Sequence, residues 1–130
     1  MKNILTSILF FAFSANSFFF SKTKQFRKEI GGVNIDVYEA RDKKKSMLFF
    51  SGGFGKIPHF IYSDFLNRLS EKGISCYSIA GGDLTGEAFS WIEDHSNYTP
   101  FIAAHSSGAV PALDTALIAP VSEIILLDPV

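Results

Sequence analysis

Ala104-His105-Ser106-Ser107-Gly108 is the stretch of this chain whose residue types and spacing could do chemistry. It follows an apolar run, Phe101 to Ala104, and leads at once into a helix-forming segment. A serine on a sharp strand-to-helix turn has its hydroxyl pushed out beyond the strand, and small residues two positions to either side prevent a clash. Ala104 and Gly108 are those small residues, so the pattern is small-x-Ser-x-Gly with Ala in the first place. The chemistry on offer is acyl transfer through Ser106. A serine hydroxyl is a poor nucleophile at neutral pH. It needs a base in hydrogen-bond reach, an acid to orient that base, and amide donors for the oxyanion.

Those groups have to be carried by regular elements, and the sequence marks them. Lys24 to Ile30 and Val33 to Ala40 read as two strands joined at Gly31-Gly32, with Val33, Ile35 and Val37 alternating against polar neighbours. Arg41 to Lys45 is a solvated turn. The pattern then changes to strand–helix alternation. Met47 to Ser51 is a continuous apolar strand of the kind covered on both faces. His59 to Lys72 is a helix with Phe60, Phe65, Leu66 and Leu69 on one face. Ile74 to Ala80 is a strand, Thr85 to Asp94 a short helix with Phe89, Trp91 and Ile92, and Phe101 to Ala104 a strand. Ser107 to Ala119 is a helix and Ile124 to Asp128 the last strand. Right-handed crossovers turn such a series into an α/β fold: a mostly parallel sheet with helices on both faces. Ligands in these sheets gather at the carboxyl ends of the strands, where Ser51-Gly52-Gly53, Ser106 and Asp128 all fall.

The chain has 130 residues, 47% of them apolar, which fits one globular domain. Its formal net charge of −1 argues against nucleic acid as a partner. Met1 to Ser17 reads as a secretory signal peptide, with Lys2, an apolar core from Ile4 to Phe13, and Ala15-Asn16-Ser17 at the cleavage position. The rival reading is an uncleaved membrane anchor over residues 4–20, favoured by the basic cluster Lys22, Lys24, Arg27 and Lys28. The expected product is therefore secreted, or alternatively anchored, with residues 18–130 as the folded part. Cys76, the single cysteine, lies in an apolar run and reads as a buried, inert thiol. Asn97-Tyr98-Thr99 is a glycosylation sequon, usable only in a eukaryotic secretory pathway.

With these elements and the serine motif, the chain resembles the N-terminal part of the α/β-hydrolase superfamily. In that family the strand before the first helix ends in a glycine motif that supplies one oxyanion-hole amide. Here the corresponding stretch is Phe49-Phe50-Ser51-Gly52-Gly53-Phe54-Gly55, with Ser51 where a histidine is usual. The resemblance implies oxyanion donors at the amides of Gly53 (or Phe54, if the loop is shifted by one) and Ser107. The tail Ile124 to Val130 resembles the strand ending in Asp-Pro-Val of chlorophyllase-like esterases, and Tyr62 to Tyr77 also reads like that group. In that branch, and in the related platelet-activating-factor acetylhydrolases, the triad acid follows this strand. Asp128 would then be the acid and Ser106 the nucleophile of a carboxylesterase or lipase-like enzyme acting on a small-molecule or lipid ester.

The family's catalytic histidine lies on a late loop, and no residue of this chain matches it. His105 adjoins Ser106 but should point into the packing beneath the turn, His59 could line the pocket, and His95 falls in a polar loop. The domain accordingly reads as incomplete after the sixth strand. An inactive relic or binding module of the same fold is the alternative, as is a different doubly wound protein that binds an anion on the amides of Ser106-Ser107-Gly108. No cofactor is expected. Three scattered histidines and one cysteine fit no zinc pattern. Gly52 to Lys56 lacks the ending of a phosphate loop.

Overall fold

A computed structural model describes residues 24–51, 59–79 and 84–127. The elements are β1 (Lys24–Ile30), β2 (Val33–Glu39), β3 (Lys45–Phe50), α1 (His59–Glu71), β4 (Ile74–Ile79), α2 (Gly86–Ser96), β5 (Phe101–His105), α3 (Ala109–Ile118) and β6 (Ile124–Leu127). One 3-10 turn, Ser106–Gly108, separates β5 from α3. The six strands form one sheet in the order β1-β2-β4-β3-β5-β6.

The sequence explains how the sheet is laid down. β1 and β2 form a hairpin around Gly31 and Gly32, which both take positive φ (57° and 80°), as a tight two-residue turn between twisted strands requires. The register puts Arg27 opposite Asp36, and the guanidinium grips the carboxylate with two bonds of 2.7 and 3.0 Å. β2 then pairs antiparallel with β4, while β4, β3, β5 and β6 run parallel to one another. Every residue of β4 is buried, as is all of β3 but Lys45, because helices cover both faces.

Alternation along the strands sorts the apolar side chains into two cores. Tyr38, Met47, Phe49, Cys76, Phe101 and Ala103 face α1, which contributes Phe65, Leu66 and Leu69. Ile35, Val37, Leu48, Phe50, Tyr77 and Ile102 face the other way, against Ala88, Phe89 and Ile92 of α2 and Ala112 of α3.

The expected mostly parallel α/β sheet with helices on both faces is what is found, with three local differences. The turn Ser106–Gly108 is 3-10, so α3 begins at Ala109 rather than Ser107. α2 runs on to Ser96 instead of stopping at Asp94, because Asn97 takes a left-handed conformation (φ 64°) and its amide closes the last turn on the Glu93 carbonyl. β3 starts at Lys45, inside the expected turn.

Candidate active site

The parallel strands bring the carboxyl ends of β3, β5 and β6 to one edge. Phe50 pairs with Ala104, and His105 with Leu127. Ser106 is the next residue beyond that edge. Its φ is 55°, one of two positive values among the described non-glycine residues. A side chain at positive φ is strained by its own carbonyl, and such residues persist where the surroundings over-determine them. Here the backbone must turn from an extended strand into a helix within one residue. The left-handed step at Ser106 does that, and it leaves the Ser106 side chain half-buried.

The small residues on either side are explained by contact. Ala104 is fully buried against the sheet. A Cβ built on Gly108 would lie 2.3 Å from the carbonyl oxygen of Phe50 and 2.8 Å from that of Ser51. Only glycine lets the turn sit this close to the end of β3. The turn is closed by the Ala109 amide, which donates to the carbonyls of Ser106 and Ser107.

His105 lies beneath the turn and faces α1. Its Nδ1 is 2.8 Å from the hydroxyl of Tyr62, and the two rings meet edge to face at 5.8 Å. That agrees with the expected packing role. Tyr62 itself is a residue that the sequence reading did not single out for the site. A tyrosine in the first turns of a helix is ordinarily core, and nothing in the local pattern signals a partner on β5.

His95 is not in a polar loop. It occupies the last turn of α2, stacked on Trp91 at 4.7 Å and 18°, with Nε2 3.2 Å from a Glu39 carboxylate oxygen. Lys43 completes the group, 3.2 Å from the other Glu39 oxygen. Burial pushes the Glu39 carboxyl up, but hydrogen bonds from His95 and Lys43 and the lysine charge outweigh it and hold it below its ordinary value. Tyr38 pairs with Cys76 early in β4, so Glu39 and His95 lie at the amino end of that strand, opposite the edge that carries Ser106. Neither His95 nor His105 is hydrogen-bonded to Ser106.

Gly53, Phe54 and Asp128 lie outside the described residues, as does the side chain of His59. Ser107 is the middle residue of the 3-10 turn, directly after Ser106. Cys76 is fully buried in the α1-side core, where burial pushes its thiol well above the ordinary range and leaves it inert. Among the described residues there is no cluster of His, Cys, Asp and Glu able to hold a metal ion, and no helix long and apolar enough to cross a membrane. A groove of about 240 Å³ runs between α2 and α3, lined by Leu84, Phe89, Glu93 and Ile118 among others. Neither Ser106 nor Ser107 is among the described residues that line it.

No family model matches the chain, and no curated protein matches it in sequence. Its fold, however, is shared with solved structures that include hydrolases. TT1662 from Thermus thermophilus superimposes with a TM-score of 0.62 at 15% identity, over 83% of this chain and 57% of that one. An epoxide hydrolase from Vigna radiata gives 0.57 at 17% identity, over 83% and 39%. A hormone-sensitive lipase from a metagenome library gives 0.56 at 13% identity, over 96% and 50%. The chain thus has the α/β-hydrolase fold, and it spans about half the length of the solved structures it matches.

Proposed function

We propose that this chain carries the nucleophile of a serine ester hydrolase that works through an acyl-enzyme on Ser106. One observation carries the reading: the positive φ of Ser106 at the β5–α3 junction, with Gly108 seated against the Phe50 carbonyl. A serine is an odd choice for a left-handed position unless its hydroxyl is needed there. The likeness in fold to an epoxide hydrolase and a lipase is in keeping with hydrolysis.

In this mechanism the Ser106 hydroxyl attacks the carbonyl carbon of an ester and loses its proton to a base. The oxyanion that forms is held by the amide of Ser107 and by that of Gly53 or Phe54. Each such donor is worth roughly 3 kcal/mol of transition-state stabilisation. The alcohol departs with the proton, and water then releases the acid from the serine. Asp128, which follows β6 in sequence, is the acid that orients the base. The base itself is a histidine other than His95, committed to Glu39, and His105, committed to Tyr62. The substrate is a small-molecule or lipid ester, and the apolar leader directs the protein to the secretory pathway or the membrane surface.

The test is labelling with a serine-directed fluorophosphonate. The wild-type protein should be labelled at Ser106 and Ser106→Ala should not. Labelling that survives in Ser106→Ala would overturn the assignment.

A further inference from the structure

Tyr62 bridges the two strands whose ends flank the Ser106 turn. Its ring packs on Phe49 of β3 at 5.3 Å and 57°, and its hydroxyl meets Nδ1 of His105, the last residue of β5. Phe49 adjoins Phe50, whose carbonyl is the surface against which Gly108 sits. The turn is therefore held on both sides of Ser106, by Gly108 on the end of β3 and by His105 on α1. We propose that Tyr62 is a positioning residue for Ser106: its bond to His105 keeps the left-handed backbone in place.

The chemistry of the pair suits such a role. A tyrosine hydroxyl can donate to an unprotonated ring nitrogen or accept from a protonated one, so the bond survives either state of His105. A strained φ also stays populated only while its neighbours leave no alternative. Removing one of the two holds lets the chain leave the left-handed region and carries the Ser106 hydroxyl with it. The consequence for reactivity rests on the reading of Ser106 as nucleophile; the hold on the backbone does not.

Tyr62→Phe keeps the ring and its packing and removes only the hydroxyl. His105→Phe keeps an edge-to-face ring contact and removes the nitrogen, and serves if the first variant fails to fold. Two readouts separate the questions. Hydrogen exchange at the Ala109 amide, which closes the turn on Ser106, should speed up about tenfold in either variant, the scale of one lost hydrogen bond. Amides of Leu66 and Leu69, deeper in α1, should be unaffected. Phosphonylation of Ser106 should slow by about tenfold, as expected of a displaced nucleophile. Unchanged exchange at Ala109, or faster exchange throughout α1, would overturn the proposal and leave Tyr62 a packing residue. Faster exchange at Ala109 in a protein whose Ser106 never reacts would uphold the positioning role and overturn the nucleophile instead.

Discussion

The conformation of Ser106 has a cost that can be measured apart from any chemistry. A left-handed φ brings Cβ close to the following carbonyl oxygen and costs roughly 1–2 kcal/mol for a residue with a side chain. Ser106→Ala and Ser106→Gly both remove the hydroxyl, but only glycine removes the clash. Ser106→Gly should therefore be more stable than Ser106→Ala by about 1 kcal/mol in urea unfolding. Equal stabilities would mean that the turn relaxes in the alanine variant. Gly108 gives the opposite expectation. Alanine there would place Cβ 2.3 Å from the Phe50 carbonyl oxygen, and because the obstacle is backbone, the turn has to move. Gly108→Ala should lose about 1–3 kcal/mol, the usual range for an overpacked site, and should slow labelling of Ser106. Native stability with native labelling would show that β3 and the turn are not in contact.

At the scale of elements, α2 is fixed at both ends. Thr85 caps its start by accepting the Ala88 amide at 3.3 Å, so Thr85→Ala should cost about 1 kcal/mol in the same unfolding assay. Its far end is tied to β2 through the Glu39–His95 contact, which makes stability depend on pH. The folded-state pKa of Glu39 is depressed, so the stabilisation is complete above its ordinary value of 4.5 and is lost as pH falls through the lower, folded value. Glu39→Gln should melt lower than wild type at neutral pH and approach it in acid. Parallel melting curves across that range would remove Glu39 as the cause. This clasp also shows where a sequence stops being legible. The strands, the hairpin at Gly31-Gly32 and the serine turn could be read because their signals are local: alternation, apolar runs, and small residues around a serine. His95 could not be read, because its partner on β2 is 56 residues away and becomes a neighbour only when β2 pairs beside β4. Tyr62 was missed for the same reason, since its contact with His105 forms only when α1 packs across β3 and β5. The two-residue extension of α2 depends on a left-handed step at Asn97, a residue type that favours it only once the helix end is in place, and the late start of α3 on a left-handed step at Ser106, which serine does not announce.

For the molecule as a whole, the two flanks of the sheet are built differently. β1 forms one edge and is guarded by charge, with Lys24, Arg27, Lys28 and Glu29 along a strand that is mostly exposed. Charged side chains on an edge strand discourage another chain from adding to it. At the other end β6 is Ile-Ile-Leu-Leu, paired among the described strands with β5 alone and carrying no charge. The helix that follows β5 carries one charge, the exposed Asp114, among exposed apolar side chains. Val110, Leu113, Leu117 and Ile118 of α3 are exposed, Leu117 at 84% and Ile118 at 77%. Several exposed apolar side chains on one short helix attract other apolar surfaces more than a single exposed leucine does. Residues 24–127 alone should therefore self-associate at micromolar to millimolar concentration in a way that tracks α3 rather than β1. Leu117→Glu combined with Ile118→Lys should shift sedimentation toward a monomer. The melting temperature should change little, because neither side chain contributes to the buried cores. If Arg27→Val on β1 raised association further while the α3 variant had no effect, the exposed flank would be the hairpin edge, and the charges on β1 would be what keeps the chain apart.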